Sequence, residues 1–154
     1  MSESDSVTQT EYRALAEFRY ELRRFLHFSE QAARVAGLEP QQHQLLLAIK
    51  GLPTSKDASV GELAERLQIQ HHSTVELVNR MVERGLLERR RDDNDQRRVL
   101  VSLTPYGEEL LKKLSLLHRT ELRTTGPALV QMLIALINDT ASAEGVSYQP
   151  VSYT

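Results

Sequence analysis

The sequence predicts a mainly α-helical fold with one small β-hairpin. Three observations carry this. Apolar residues recur at spacings of three and four through most of the chain. One stretch, ending at Leu103, changes to strand-like composition around a turn cluster. Glycines, prolines and capping residues fall between the periodic segments.

Residues 1–10 are polar, small and aperiodic, and are expected to be a disordered tail. From Glu11, a stripe of Leu15, Phe18, Leu22, Phe25 and Leu26 continues through Ala32, Ala33 and Ala36 to a stop at Gly37. Such a helix has about 25 residues and a length of roughly 37 Å. A long amphipathic helix needs a surface against which to bury its stripe. Pro40 suits the first turn of a second helix with Leu45, Leu46, Leu47 and Ile49, ended by Gly51 and Pro53.

After a polar loop, Ser59-Val60-Gly61-Glu62 has the form of a capping box, with Ser59 as cap and Glu62 reaching back. Val60, Leu63, Ala64 and Leu67 then mark a short helix. A polar turn from Gln68 to His71, anchored by Ile69, leads into another helix from about His72 to Arg84, closed by Gly85. Leu86 to Arg90 and Arg98 to Leu103 read as two strands around Asp92-Asp93-Asn94-Asp95.

Thr104 caps and Pro105 opens the next helix, whose stripe is Leu110, Leu111, Leu114, Leu117 and Leu122. Gly126-Pro127 is expected to break it, leaving a short final helix from Ala128 to about Ala141. Residues 143–154 are expected to fray.

Composition bounds the function. With 40% apolar and 26% charged residues the chain fits a soluble globular protein. It has no run of about 18 apolar residues, so no membrane span is expected. The polar, acidic N-terminus lacks the apolar core of a secretory signal, which points to the cytoplasm. No cysteine is present, so disulfides and thiol chemistry within this chain are excluded. There is no phosphate-cradling glycine loop, no His-Glu-x-x-His and no nucleophile elbow, so neither an enzyme nor a cofactor is expected. Adjacent His71 and His72 lack nearby carboxylates and are read as helix-start or DNA-facing donors, and no metal is expected. The net charge of −2 gives no general help toward nucleic acid, so that case rests on local arrangement.

The local arrangement is specific. On a helical wheel, the helix beginning near His72 places Val75, Leu77, Val78, Met81 and Val82 on one broad side. His72, Ser73, Glu76, Asn79, Arg80 and Glu83 fall on the other. A helix braced by a second helix, with polar groups aimed outward, is what the 12-Å-wide major groove of B-DNA admits. The hairpin that follows carries Arg89, Arg90, Arg91, Arg97 and Arg98, which can lie on phosphates or in the minor groove. Together these parts make a winged helix-turn-helix. The expected contacts with double-stranded DNA are His71, His72, Ser73, Thr74, Glu76, Asn79 and Arg80 on the helix, and Arg90, Asp95, Arg97 and Arg98 on the hairpin. Asp95 is expected to orient Arg97 or to cap the turn, because residues two apart on a strand-like backbone leave on one side.

The hairpin resembles the wing signature of the MarR (multiple antibiotic resistance regulator) family. The matching run is Asp92-Asp93-Asn94-Asp95-Gln96-Arg97-Arg98-Val99-Leu100-Val101-Ser102-Leu103-Thr104. Val60 to Leu67 resembles the family's supporting helix, and His71 to Val75 with Arg80 to Leu87 its recognition helix and exit. The resemblance implies that Asp95 and Arg97 form the wing's DNA-contacting pair. It implies a homodimer made by interlacing the first helix with the last two. It also implies a small aromatic or phenolic effector that releases DNA, for which Arg24, His27, Phe28 and His43 are the candidate contacts.

On this reading residues 11–142 form one domain. Its dimerisation helices are 11–37 and 104–142, and 38–103 is the winged helix-turn-helix. Glu76 and Gln96 depart from the basic residues common at those places in the family, and the last helix looks short. Two alternatives stay open: a winged helix that binds a protein, and a DNA-binding protein with no effector. The polar outward face of the recognition helix favours DNA over a protein partner.

Overall fold

The structure is a computed structural model that describes residues 5–144; the remainder of the two expected tails, 1–4 and 145–154, lies outside the described residues. Five helices and one hairpin follow in the order α1 (Gln9–Val35), α2 (Pro40–Lys50), α3 (Val60–Leu67), α4 (His71–Glu83), β1 (Leu87–Arg91), β2 (Val99–Leu103) and α5 (Pro105–Glu144). The chain forms two compact units. One is Ser29–His118, and the other combines the N-terminal part through Phe28 with the part from Arg119.

In the Ser29–His118 unit, Leu38, Leu45, Leu46, Leu63, Leu77, Val78, Met81, Leu86, Leu87 and Val101 join in one buried core. Each such side chain contributes about 1.5–3 kcal/mol on leaving water. The caps set the helix ends. Glu39 and Gln42 bond reciprocally around Pro40 at the start of α2. Ser59 Oγ accepts from the Glu62 N–H at 3.2 Å at the start of α3. The Glu62 carboxylate does not reach back; Arg66, one turn on, donates to it at 3.0 Å and takes it instead.

Gln68, at φ 55°, closes α3 in the left-handed conformation, and Gly85, at φ 73°, does the same after α4. The strands pair antiparallel with Leu87 opposite Leu103 and Arg91 opposite Val99. Ala58 and Ser59 dock alongside β2, with the Val101 N–H donating to the Ala58 carbonyl at 2.9 Å. Thr104 ties the wing to α5: its hydroxyl donates to the Gly85 carbonyl at 2.6 Å and accepts from the Gly107 N–H at 3.0 Å.

In the other unit, α1 starts at Gln9, two residues before the expected Glu11. Thr8 and Glu11 form a reciprocal cap, which holds the Glu11 carboxyl below its ordinary pKa. The expected break at Gly126-Pro127 does not occur, and α5 runs through Pro127 without interruption. The ring removes one N–H, leaving the Arg123 carbonyl without its helical partner. The usual clash of the ring with the preceding Cβ is absent, because residue 126 is glycine. Just ahead, the Thr124 and Thr125 hydroxyls donate to the Thr120 and Glu121 carbonyls at 3.3 and 3.0 Å. The final helix is therefore the end of a 40-residue helix and is not short.

Leu15, Leu22 and Leu26 of α1 and Leu122, Val130, Leu133, Ile134 and Ile137 of α5 remain exposed. No described helix is long and apolar enough to cross a membrane.

Candidate nucleic-acid interface

The helix-turn-helix is built by α3 and α4. Leu63 and Ala64 of α3 are buried against the same core as Leu77, Val78 and Met81 of α4, which fixes the rotation of α4 about its axis. His71, His72, Glu76 and Arg80 are left exposed, and Ser73 and Asn79 are half-buried. Thr74 is not among the outward groups. Its side chain is 0% exposed, and its hydroxyl donates to the Gln70 carbonyl at 3.0 Å, one turn back. Thr74 shares the buried side with Leu77, Val78 and Met81. Its methyl therefore packs in the core while its hydroxyl is satisfied locally, which removes it from the expected contacts.

The wing differs from expectation in which arginine faces α4. Side chains alternate across a strand, so Arg89 shares a face with the buried Leu87 and Arg90 points the other way. Arg89 Nη1 donates to Asn79 Oδ1, linking β1 to α4. Together with Ser59, His71, Arg97 and Arg98, these two residues border a cleft of about 440 Å³ between α4 and the wing. Arg90 instead borders a separate cleft with Lys56, Leu100 and Ser102 on the opposite side of the hairpin. Arg89, absent from the expected contact set, thus faces α4, and Arg90, which is in that set, borders the other cleft. The signal was the alternation itself, counted from Leu87.

At the wing tip Asp92 and Asp95 are internal partners. Asp92 is buried; its Oδ1 accepts from the Asn94 N–H at 3.0 Å and its Oδ2 meets Arg98 Nη1 at 3.4 Å. Asp57 holds the other end of Arg98 at 3.6 Å. Arg98 therefore bridges two carboxylates and braces the loop, while it also borders the cleft between α4 and the wing. Arg91 Nη1 donates to the Gln96 carbonyl at 2.9 Å. Asp95 Oδ1 accepts from the Arg97 backbone N–H at 3.1 Å and lies 3.5 Å from its Nε. Both expected roles of Asp95, capping the turn and orienting Arg97, are present in one geometry. The Arg97 side chain is 95% exposed, so its remaining donors face solvent.

The expected effector contacts are divided between the two units, Arg24, His27 and Phe28 in one and His43 in the other. Arg24 is exposed, paired with Glu21 at 3.5 Å and positioned over the Tyr20 ring at 5.8 Å. His27 is exposed and Phe28 half-buried. His43 is only 4% exposed, with its ring 4.8 Å from that of His118. Burial, with repulsion from His118 added, pushes the His43 pKa down to about 4, so it is neutral near pH 7. His118 Nδ1 lies 2.7 Å from the Leu114 carbonyl, and its Nε2 lies 2.7 Å from Ser29 Oγ. Among the described residues no group of three potential metal ligands occurs.

Residues 36–98 match the model of the MarR family. Over 57 residues the chain is 33% identical to an uncharacterised HTH-type transcriptional regulator, YsmB, of Bacillus subtilis; the match spans 37% of this chain and 39% of that protein. The fold is similar to AbsC, a MarR family transcriptional regulator from Streptomyces coelicolor, with a TM-score of 0.68, 20% identity, and coverage of 92% of this chain and 99% of that one. It is also similar to BpsR of Bordetella bronchiseptica, whose DNA binding is regulated by 6-hydroxynicotinic acid. There the TM-score is 0.59 and the identity 22%, with coverage of 80% of this chain and 94% of that one. Residues 36–98, which match the MarR family model, form a winged helix-turn-helix, and the fold is similar to that of the MarR family regulator AbsC.

Proposed function

We propose that the protein is a sequence-specific DNA-binding transcription regulator, a repressor that acts as a homodimer on an inverted-repeat site. The observation that carries this reading is the combination, within one compact unit, of an exposed polar stripe on α4 and an exposed Arg97 held in place by Asp95. His71, His72, Ser73, Glu76, Asn79 and Arg80 read base edges, while Arg97 and Arg89 take phosphates. An arginine already oriented loses less side-chain entropy on binding than a free one. The exposed leucines and isoleucines of α1 and α5 favour a second copy as their cover. Two recognition helices then enter successive major grooves about 34 Å apart.

Selection of bound duplexes from a random pool tests this. An enriched inverted repeat with half-sites about one helical turn apart supports it. No enrichment in dilute buffer counts against it.

The release of DNA by a small aromatic acid is a second layer of the proposal, favoured by the regulation of BpsR by 6-hydroxynicotinic acid. Arg24, His27 and Phe28, which lie in one unit, remain its candidate contacts; of these, Arg24 offers the cation that a carboxylate needs. A ligand that binds one state better shifts the equilibrium by its differential affinity. Calorimetry with a panel of phenolic carboxylates, with and without DNA, tests it; no heat and no release of DNA argue against an effector.

A further inference from the structure

The cleft on the far side of the hairpin from α4 has a volume of about 390 Å³ and lies between the α2–α3 loop and the outer face of the strands. Two carboxylates border it, and both are engaged. Glu108 accepts from Lys50 Nζ at 2.8 Å, and Asp57 lies 3.6 Å from Arg98 Nη2. Lys56 and Arg90 border the same cleft and are exposed. Among the described residues neither has an ion-pair or side-chain hydrogen-bond partner. Glu88 shares the strand face of Arg90 but stands opposite Ser102, nearer the base of the hairpin. In a chain of net charge −2, this cleft keeps two uncompensated cations.

Both cations stand on fixed backbone. Arg90 is paired in the ladder opposite Leu100. Lys56 belongs to a loop tied down on each side of it. Its own N–H donates to the Pro53 carbonyl at 3.0 Å, and the Ala58 carbonyl accepts the Val101 N–H of β2 at 2.9 Å.

The shape of DNA gives these cations a task. The major groove that admits α4 and the neighbouring minor groove are separated by one sugar-phosphate strand. When α4 lies in the first and the hairpin tip in the second, that strand runs through the cleft between α4 and the wing. The minor groove is only about 6 Å wide, and its other wall is the opposite strand. That strand passes on the far side of the hairpin, where Lys56 and Arg90 stand.

We propose that Lys56 and Arg90 form a second backbone site, which holds a phosphate of the far strand while Arg89 faces the near one. The wing then grips both walls of the minor groove. This inference rests on the DNA-binding reading above. The guanidinium fork of Arg90 suits two phosphate oxygens, and the Lys56 ammonium adds a point charge.

The test is phosphate-ethylation interference on the enriched duplex with the full chain, together with affinity measured across a range of salt. In the wild type, ethylation is expected to interfere on both strands that bound the minor groove at each wing. Lys56→Gln and Arg90→Gln each weaken the far-strand interference and leave the near strand unchanged; Arg89→Gln does the reverse. Each makes the slope of log affinity against log salt shallower by about 0.9 for every phosphate contact removed, and the preferred sequence does not change. Lys113→Gln, which removes the same charge from α5, leaves the interference pattern as it is.

Interference on the near strand alone in the wild type overturns the proposal. So do Lys56→Gln and Arg90→Gln proteins whose far-strand interference persists, or whose salt slopes change no more than that of Lys113→Gln. Inorganic phosphate that binds without DNA and is lost in Lys56→Gln, with no far-strand interference, assigns the cleft to a free anion and overturns it as well. In each of these cases DNA binding itself stands. If the wild type enriches no duplex, the DNA-binding reading falls and takes this one with it.

Discussion

The Asp95 carboxylate meets Arg97 twice, its Oδ1 accepting the Arg97 backbone N–H at 3.1 Å and lying 3.5 Å from the guanidinium Nε. The first contact shapes the turn and the second aims the side chain. Both leave the terminal guanidinium nitrogens in solvent, which is the state a phosphate-binding arginine needs.

Replacing Arg97 with alanine is expected to weaken binding on all duplexes alike. The slope of log affinity against log salt becomes shallower by about one unit. Asp95→Ala, which leaves the charge of Arg97 in place, is expected to lower affinity less and to leave that slope near its wild-type value. Gel shifts at several salt concentrations check both. An Arg97→Ala protein with unchanged affinity and slope contradicts the assignment of the wing tip.

Thr74 and Ser73 are neighbours with opposite expected behaviour. Thr74→Val keeps the shape but loses the bond to the Gln70 carbonyl. It is expected to cost about 1 kcal/mol of stability in urea and to leave the preferred DNA sequence unchanged. Ser73→Ala is expected to leave stability nearly unchanged and to alter the preferred sequence. Paired urea melts and duplex selections separate the two; a sequence change from Thr74→Val places that residue in the groove after all.

His43 makes stability depend on pH in a defined direction. Its pKa is about 4 in the folded protein against 6.5 for an ordinary histidine, so the unfolded chain binds the proton more readily. Its contribution is present in full above pH 6.5 and is lost progressively as the pH falls toward 4. His43→Gln is expected to flatten this part of the profile. Subtracting the variant's urea stability from that of the wild type across the window isolates the effect; a difference that does not change with pH contradicts it.

Gly107 is required by a close approach. A Cβ there would lie 2.2 Å from the Leu86 carbonyl oxygen, a backbone atom that also accepts the Thr104 N–H at 3.1 Å. Gly107→Ala is expected to destabilise by about 2 kcal/mol or more, because the entry to β1 and the start of α5 must move apart. Gly61→Ala, in open space, is expected to be tolerated. Thermal melts of the two variants give the comparison.

Much of the fold was legible because its signals are local. Ser59, Pro40, Thr104 and Gly85 mark ends through hydrogen bonds made within a few residues. The Asp95–Arg97 relation follows from a spacing of two. The misses have physical reasons. Pro127 reads as a break because a proline ring ordinarily clashes on both sides, but glycine before it removes one of the clashes. Thr74 reads as polar and outward, whereas a threonine can bury its methyl and bond its own helix. Arg89 and Arg90 look alike in sequence, and only their strand phase relative to Leu87 separates them. The early start of α1 was written in Thr8 and Glu11, a capping box whose two halves are three residues apart.

Chemical footprinting on the enriched duplex tests the central claim most directly. Two protected backbone patches about one helical turn apart are expected, with guanine N7 methylation interfering in the major groove of each half-site. Protection should weaken at the wing-contacted backbone alone in Arg97→Ala. A footprint confined to the minor groove, or one that substitutions at His72, Glu76 and Asn79 leave untouched, would contradict the placement of α4 in the major groove.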